Sequence, residues 1–173
     1  HHGPSWSPDG NWIAYRRLVN GAWSIVKRPI GGGAAIRLDD ANPGGGPTDW
    51  SPTGQWIAHS RPDGMHLVPP DGGNVRVLSG LRAASFCFAH DGSGLFAIRR
   101  GDQRRWELAI WDVAIGRELR VVPLPVAAAT ELQQFTLSPD DASVIAAVSS
   151  NRSDIWLLEQ FEPRRRALSS WWK

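Results

Sequence analysis

The sequence predicts an all-β fold of stacked four-stranded antiparallel sheets. Three observations carry that expectation: a turn motif occurring four times, Pro or Gly punctuation inside every repeat, and ten tryptophans in 173 residues. The four copies align without gaps as Trp6-Ser-Pro-Asp-Gly-Asn-Trp-Ile-Ala, Trp50-Ser-Pro-Thr-Gly-Gln-Trp-Ile-Ala, Phe88-Ala-His-Asp-Gly-Ser-Gly-Leu-Phe and Leu137-Ser-Pro-Asp-Asp-Ala-Ser-Val-Ile. Their anchors are 44, 38 and 49 residues apart. Such uneven spacing places the length variation in loops, as stacked modules require.

Each copy follows one physical logic. A large apolar residue closes a first strand, and a tight reversal follows. Proline presets φ at the first corner, and Gly10, Gly54 and Gly92 accept the positive φ that comes next. The second strand then opens on Ile13, Ile57, Leu95 or Val144, each followed by an apolar neighbour: Ala14, Ala58, Phe96 or Ile145. Both faces of that strand are therefore expected to be buried between stacked sheets. Third strands are expected at Trp23 to Lys27, Met65 to Val68, Leu108 to Val113 and Asp154 to Leu158. Fourth strands are expected at Ala35 to Leu38, Asn74 to Leu78 and Glu118 to Val122, after glycine turns at Gly31-Gly-Gly, Asp71-Gly-Gly and Gly116.

A four-stranded meander with a period near 44 residues fits a β-propeller blade. A helical solenoid of similar period is excluded by the Pro and Gly inside every unit. The units are 1–41, 42–80, 81–126 and 127–160, with 161–173 as a tail or closing strand. Because the chain enters the first strand at once and unit four shows only three clear strands, these four blades are expected to belong to a larger ring of six to eight. Arg166 to Trp172 is the alternative source of the missing strand.

Composition bounds the function more than it identifies it. A charged fraction of 21% and an apolar fraction of 42% are ordinary for a globular domain. The net charge of +2 is too small to argue for nucleic acid. Cys87 is the only cysteine, so the chain contains no disulfide framework and no cysteine metal site. No apolar run approaches the roughly 18 residues of a membrane span.

The Trp-Ser-Pro-Asp-Gly-x-x-Ile-Ala turn, a later Ile-Trp or Ile-Val strand, and a Gly-Gly turn before Arg-x-Leu resemble the TolB-type, WD-like propeller repeat. Gly3-Pro4 and Gly46-Pro47 before the turn fit the same pattern. The resemblance spans roughly residues 1–160. It weakens in units three and four, where His90 replaces the proline and Asp141 the turn glycine, and strand edges are expected to blur there. The ending Ser153-Asp154-Ile-Trp-Leu-Leu-Glu159-Gln-Phe161 resembles the last blade of bacterial propellers carried behind signalling domains. It implies a sensing or docking role behind an upstream kinase or winged-helix domain, and leaves the compartment open between bacterial cytoplasm and periplasm.

The expected binding surface is a basic rim. The loops from second to third strands carry Arg16, Arg17, Arg61, Arg99, Arg100, Arg104, Arg105 and Arg152. The opposite face carries the turn acids Asp9, Asp91, Asp140 and Asp141. Arginine pairs carboxylate and phosphate bidentately, which suits an acidic or phosphorylated protein segment. The competing reading is a set of solvated charges neutralised locally by Asp63, Asp102 and Asp154.

Other signals point away from chemistry. Gly31-Gly-Gly33 and Gly44-Gly-Gly46 open no helix and precede no Gly-Lys-Ser/Thr, so they read as turns. His59, His66 and His90 are assigned to different units without metal-ligand spacing, and strand or turn roles are expected. His1-His2 are expected to fray. Arg164-Arg-Arg166 with Trp171-Trp172 reads as a tail or packed strand. No Gly-x-Ser-x-Gly elbow occurs. The first strands offer chiefly Ser5, Trp6, Thr48, Asp49, Phe86, Phe88, Phe135 and Leu137, a poor acid–base or metal set for a lactonase- or glycosidase-like propeller. No catalytic residue, cofactor or metal is therefore expected. The leading expectation is a non-catalytic protein–protein interaction propeller. The alternative is the substrate-gating propeller of a prolyl-oligopeptidase-like peptidase.

Overall fold

The computed structural model describes residues 2–41, 46–83, 85–126, 131–149 and 153–158. The described residues are all-β, with one 3₁₀ turn at Asp102–Arg104 among them. Sheet one comprises β1 (His2–Trp6), β2 (Trp12–Val19), β3 (Ala22–Pro29) and β4 (Ile36–Asp40). Sheet two comprises β5 (Thr48–Trp50), β6 (Ile57–Arg61), β7 (Gly64–Val68) and β8 (Arg76–Ser79). Sheet three is β9 (Ser85–Phe88), β10 (Gly94–Arg100), β11 (Trp106–Asp112) and β12 (Arg117–Pro123). Sheet four is β13 (Glu131–Leu137), β14 (Val144–Ser149) and β15 (Ser153–Leu158). Every sheet is an antiparallel meander in sequence order. The expected strands agree with these to within about two residues. The alternative fourth strand at 166–172 lies outside the described residues.

The repeated turn explains the repeated fold. In all four copies the residue after the anchor bonds across the turn: Ser7 N–H to Trp12 O at 2.9 Å, Ser51 to Trp56 at 2.8 Å, Ala89 to Gly94 at 2.9 Å and Ser138 to Ser143 at 2.9 Å. The turn residue three positions on bonds back at 2.9 Å each time. Its φ is positive throughout: 71° at Gly10, 77° at Gly54, 74° at Gly92 and 55° at Asp141. Aspartate tolerates the left-handed region better than most residues, so the loss of glycine leaves this turn unchanged. The expected blurring of the strand edges does not occur there.

Serine adds a second bond. Its hydroxyl accepts the backbone N–H of Trp12 at 2.9 Å, of Trp56 at 3.0 Å and of Ser143 at 2.9 Å. Ser51 is fully buried. Ser51→Ala is expected to cost about 1–2 kcal/mol in a urea titration, since it strips one acceptor from the buried turn. Unit three already carries Ala89 at this position, so the variant should still fold.

The sheets stack in chain order, and one apolar core fills each gap. Ala14, Ile25, Trp50 and Ile57 lie between sheets one and two. Between sheets two and three the core includes Met65, Leu67, Leu78, Phe86, Phe88, Leu95 and Trp111. Phe96, Ile98, Trp106, Leu108, Leu132, Leu137 and Val144 pack between sheets three and four. The anchor of each unit plugs the gap to the preceding sheet. Trp50, Phe88 and Leu137 are therefore buried, whereas Trp6, with no preceding sheet among the described residues, is 59% exposed.

Burial on both faces of the second strand holds only in the middle of the stack. Ile57, Ala58, Leu95 and Phe96 are all buried. In sheet four Val144 is buried while Ile145 is exposed, and in sheet one Ala14 is buried while Ile13 is half-buried. The cause is geometric: among the described residues, sheets one and four each have a neighbouring sheet on one side only.

Polar side chains tie each sheet to the next. Lys27 Nζ reaches Asp71 at 2.9 Å and lies 4.4 Å from the Trp12 ring centroid. Asp49 accepts the Phe88 N–H at 2.9 Å, and Arg76 donates to Ala114 O at 2.9 Å. His90 N–H donates to Asp141 at 3.0 Å. The two residues that break the repeat pattern thus meet each other. A proline at 90 would have no N–H to give.

Candidate functional site

The meander sends the second-to-third and fourth-to-first connections to one end of every sheet. Arg16 and Arg17 in β2, Arg61 in β6, and Arg99 and Arg100 in β10 lie in strands rather than in the loops expected for them, though toward that end. Arg104 and Arg105 lie in the connection from β10 to β11. Arg152 lies outside the described residues.

Most of these arginines are already engaged within the fold. Arg16 is buried, sits 4.8 Å from the Trp23 ring centroid and donates to Gly46 O at 3.4 Å. Arg99 bonds Glu107 at 2.7 Å and Glu118 at 2.6 Å. Arg100 stacks 3.8 Å from the Trp106 ring centroid, donates to Arg104 O at 2.8 Å and lies 3.7 Å from Glu131. Arg17, Arg104 and Arg105 remain exposed at the rim. The opposite, acidic rim is largely a set of turn braces. Asp9 accepts from Asn11 N–H at 3.0 Å and Asp91 from Ser93 N–H at 2.8 Å. Asp140 accepts from Ser138 Oγ at 2.6 Å, and Asp141 is taken by His90. The Ser7 hydroxyl and the Asn11 groups hold the Asp9 carboxyl below its ordinary range.

Arg61 belongs to a cluster the sequence reading missed. His59 and His66 are in the same unit, contrary to the expectation stated for them, and are directly paired across β6 and β7. Their ring centroids are 5.3 Å apart. The signal was present in the sequence, for the two histidines are equidistant from the Pro62-Asp63 turn, and an antiparallel hairpin brings such residues face to face.

The acid that joins them comes from sheet one. Ile25 pairs with Asp39 but Val26 pairs with Arg37, so Leu38 is an extra residue in β4. Such a bulge re-aims its neighbours. Leu38 can therefore pack into the core facing sheet two while Asp39 also reaches that sheet. Asp39 Oδ2 lies 2.9 Å from His59 Nε2 and 3.0 Å from His66 Nδ1. Asp39 Oδ1 accepts the Asp40 N–H at 2.7 Å and Arg61 Nη1 at 3.4 Å. His66 Nε2 is 3.1 Å from both oxygens of Asp63.

Electrostatics sets the charge states. Burial pushes the Asp39 pKa upward, but the His59 contact, the Asp40 amide and His66 outweigh it and bring it to about 2. Burial lowers the His59 pKa despite the opposing pull of Asp39, and this favours the neutral ring. His59 Nδ1 is buried with no partner among the described residues.

No protein-family model matches the chain, and no curated protein matches it. Among solved structures it is similar to TolB from Acinetobacter baumannii, at 18% identity and a TM-score of 0.71, over 92% of this chain and 40% of that one. The fold is a TolB-like β-propeller. A putative TolB from Agrobacterium tumefaciens is similar at 20% identity and a TM-score of 0.64, over 91% of this chain and 57% of that one. A chain of the nidogen/laminin complex aligns at 13% identity and a TM-score of 0.66, over 92% of this chain and 65% of that one. The propeller blades described here span less than two thirds of each of those chains. Within the propeller, the Asp39–His59–His66 cluster joins blades one and two on the side of the basic rim.

Proposed function

We propose that these blades are a non-catalytic protein-interaction module of a bacterial multidomain protein. It would serve as the sensory or scaffolding end of a regulator or kinase-linked chain, within a ring of more than four blades. The observation that carries the reading is the exposure of Arg17, Arg104 and Arg105 on one face, while the neighbouring arginines are spent on internal pairs. Exposed guanidinium groups on a rigid rim favour a carboxylate- or phosphate-bearing segment. The similarity to a chain of the nidogen/laminin complex supports protein binding as the general use of such a surface. No helix among the described residues is long and apolar enough to cross a membrane.

An array of acidic and phosphorylated peptides, probed with this chain at low salt, tests the reading. Binding above that of neutral controls is expected. The combined Arg17→Ala, Arg104→Ala and Arg105→Ala variant should weaken it about tenfold, as three exposed charge contacts would. Equal retention of acidic and neutral peptides would overturn the proposal.

A further inference from the structure

Three imidazole–carboxylate contacts converge between blades one and two. His59 Nε2 and His66 Nδ1 both face Asp39 Oδ2, and His66 Nε2 faces Asp63. Each contact needs one N–H between nitrogen and oxygen, because an ionised carboxylate only accepts. His59 Nε2 and His66 Nδ1 converge on one carboxylate oxygen, and a cation can be held by the same three atoms.

A divalent cation fits among these atoms. It takes the place of both protons facing Asp39 Oδ2 and leaves the His66 proton on Nε2, directed at Asp63. A metal-bound histidine characteristically donates its other N–H to a carboxylate in this way. We propose that Asp39 Oδ2, His59 Nε2 and His66 Nδ1 form a site for a divalent transition metal of the zinc class, stapling blade one to blade two.

The surroundings fit that assignment. The three ligand atoms lie within 4.8 Å of one another. Tetrahedral zinc with bonds near 2.0–2.1 Å sets its ligand atoms about 3.3 Å apart, so closure needs shifts of about 1 Å or less. Two imidazoles with one carboxylate are a donor set that zinc accepts and that hard calcium does not favour. His59 is 1% exposed and His66 7% exposed, so both rings are held by packing before any ion arrives. Arg61 and the Asp40 amide occupy Asp39 Oδ1, which leaves Oδ2 for the ion. His59 Nδ1 stays buried in either tautomer, so ligation through Nε2 forfeits no bond there. Three protein ligands leave a fourth position for water or an acidic group of a partner.

The test is calorimetric titration of chelator-treated protein with zinc chloride, followed by thermal unfolding with and without the metal. A His1→Ala/His2→Ala background removes the terminal histidines from the measurement. One equivalent of zinc is expected to bind and to raise the unfolding temperature. His66→Ala and Asp39→Asn should each weaken binding at least a hundredfold, while His90→Ala leaves it unchanged. Asp63→Asn, which acts through His66, should weaken it about 10- to 100-fold. Cobalt(II) should give the intense visible bands of a four-coordinate site, a readout that a merely structural histidine pair would not produce. Failure of the folded background protein to bind one equivalent would overturn the proposal, and so would binding that survives the combined Asp39→Asn/His66→Ala change. Nitrogen-15 spectra showing both His66 nitrogens protonated in zinc-saturated protein would also overturn it.

Discussion

Phe88→Ala is expected to destabilise the chain by about 3–5 kcal/mol, whereas Trp6→Ala at the equivalent repeat position should cost less than about 1 kcal/mol. The difference follows from the stack and not from the residue type. Phe88 is 5% exposed and fills the gap between sheets two and three, among Met65, Leu67 and Leu95. Removing its ring leaves a cavity between two sheets that cannot collapse without shifting the backbone of β9. Trp6 is 59% exposed, and its truncation opens no cavity. Phe88→Leu should cost less than about 1.5 kcal/mol, since Leu137 fills the same role in unit four. Urea denaturation of the three variants checks this. Similar losses for Phe88→Ala and Trp6→Ala would show that the anchors do not plug successive gaps.

Asp49→Asn should stabilise the protein relative to wild type by about 2–3 kcal/mol at pH 7.5, compared with the difference at pH 3.5. Burial beside the inner strands raises the Asp49 carboxyl from 3.8 to about 6, against the opposing pull of the Phe88 and Trp50 amides. A raised folded-state pKa means that the folded protein holds the proton more tightly than the unfolded chain. The contribution of Asp49 is therefore fully present below about pH 4 and is lost as pH rises through about 6. Asparagine removes the charge and keeps an oxygen for the Phe88 N–H, which Asp49 accepts at 2.9 Å. Thermal or urea unfolding of both proteins across that range provides the comparison. A stability difference independent of pH would show that the carboxyl titrates alike in both states.

The blades were legible because the repeat is written in backbone chemistry. Pro-Asp-Gly turns and paired apolar residues at the head of each second strand are local signals, and they placed nearly every strand. The sites were less legible because they depend on contacts between units. Arg99 looks free in the sequence, and only the fold shows Glu107 and Glu118 closing on it. Asp39 looks like one more loop acid until the bulge at Leu38 carries it to the histidines of the next sheet. His90 and Asp141 each weaken the motif when read singly, yet 51 residues apart they satisfy one another. The hairpin pairing of His59 with His66 was available from the sequence and lost by counting them in separate units.

The stacking of successive sheets is tested most directly by proton–proton Overhauser contacts between glycines and the neighbouring unit. A Cβ placed on Gly3 would lie 2.4 Å from Pro47 Cα, and one on Gly92 would lie 2.7 Å from the Thr53 methyl carbon. Strong cross-peaks are therefore expected from a Gly3 Hα to the Pro47 Hα and from a Gly92 Hα to the Thr53 methyl. Their absence from a well-dispersed spectrum of the folded chain would contradict the arrangement of sheets one, two and three.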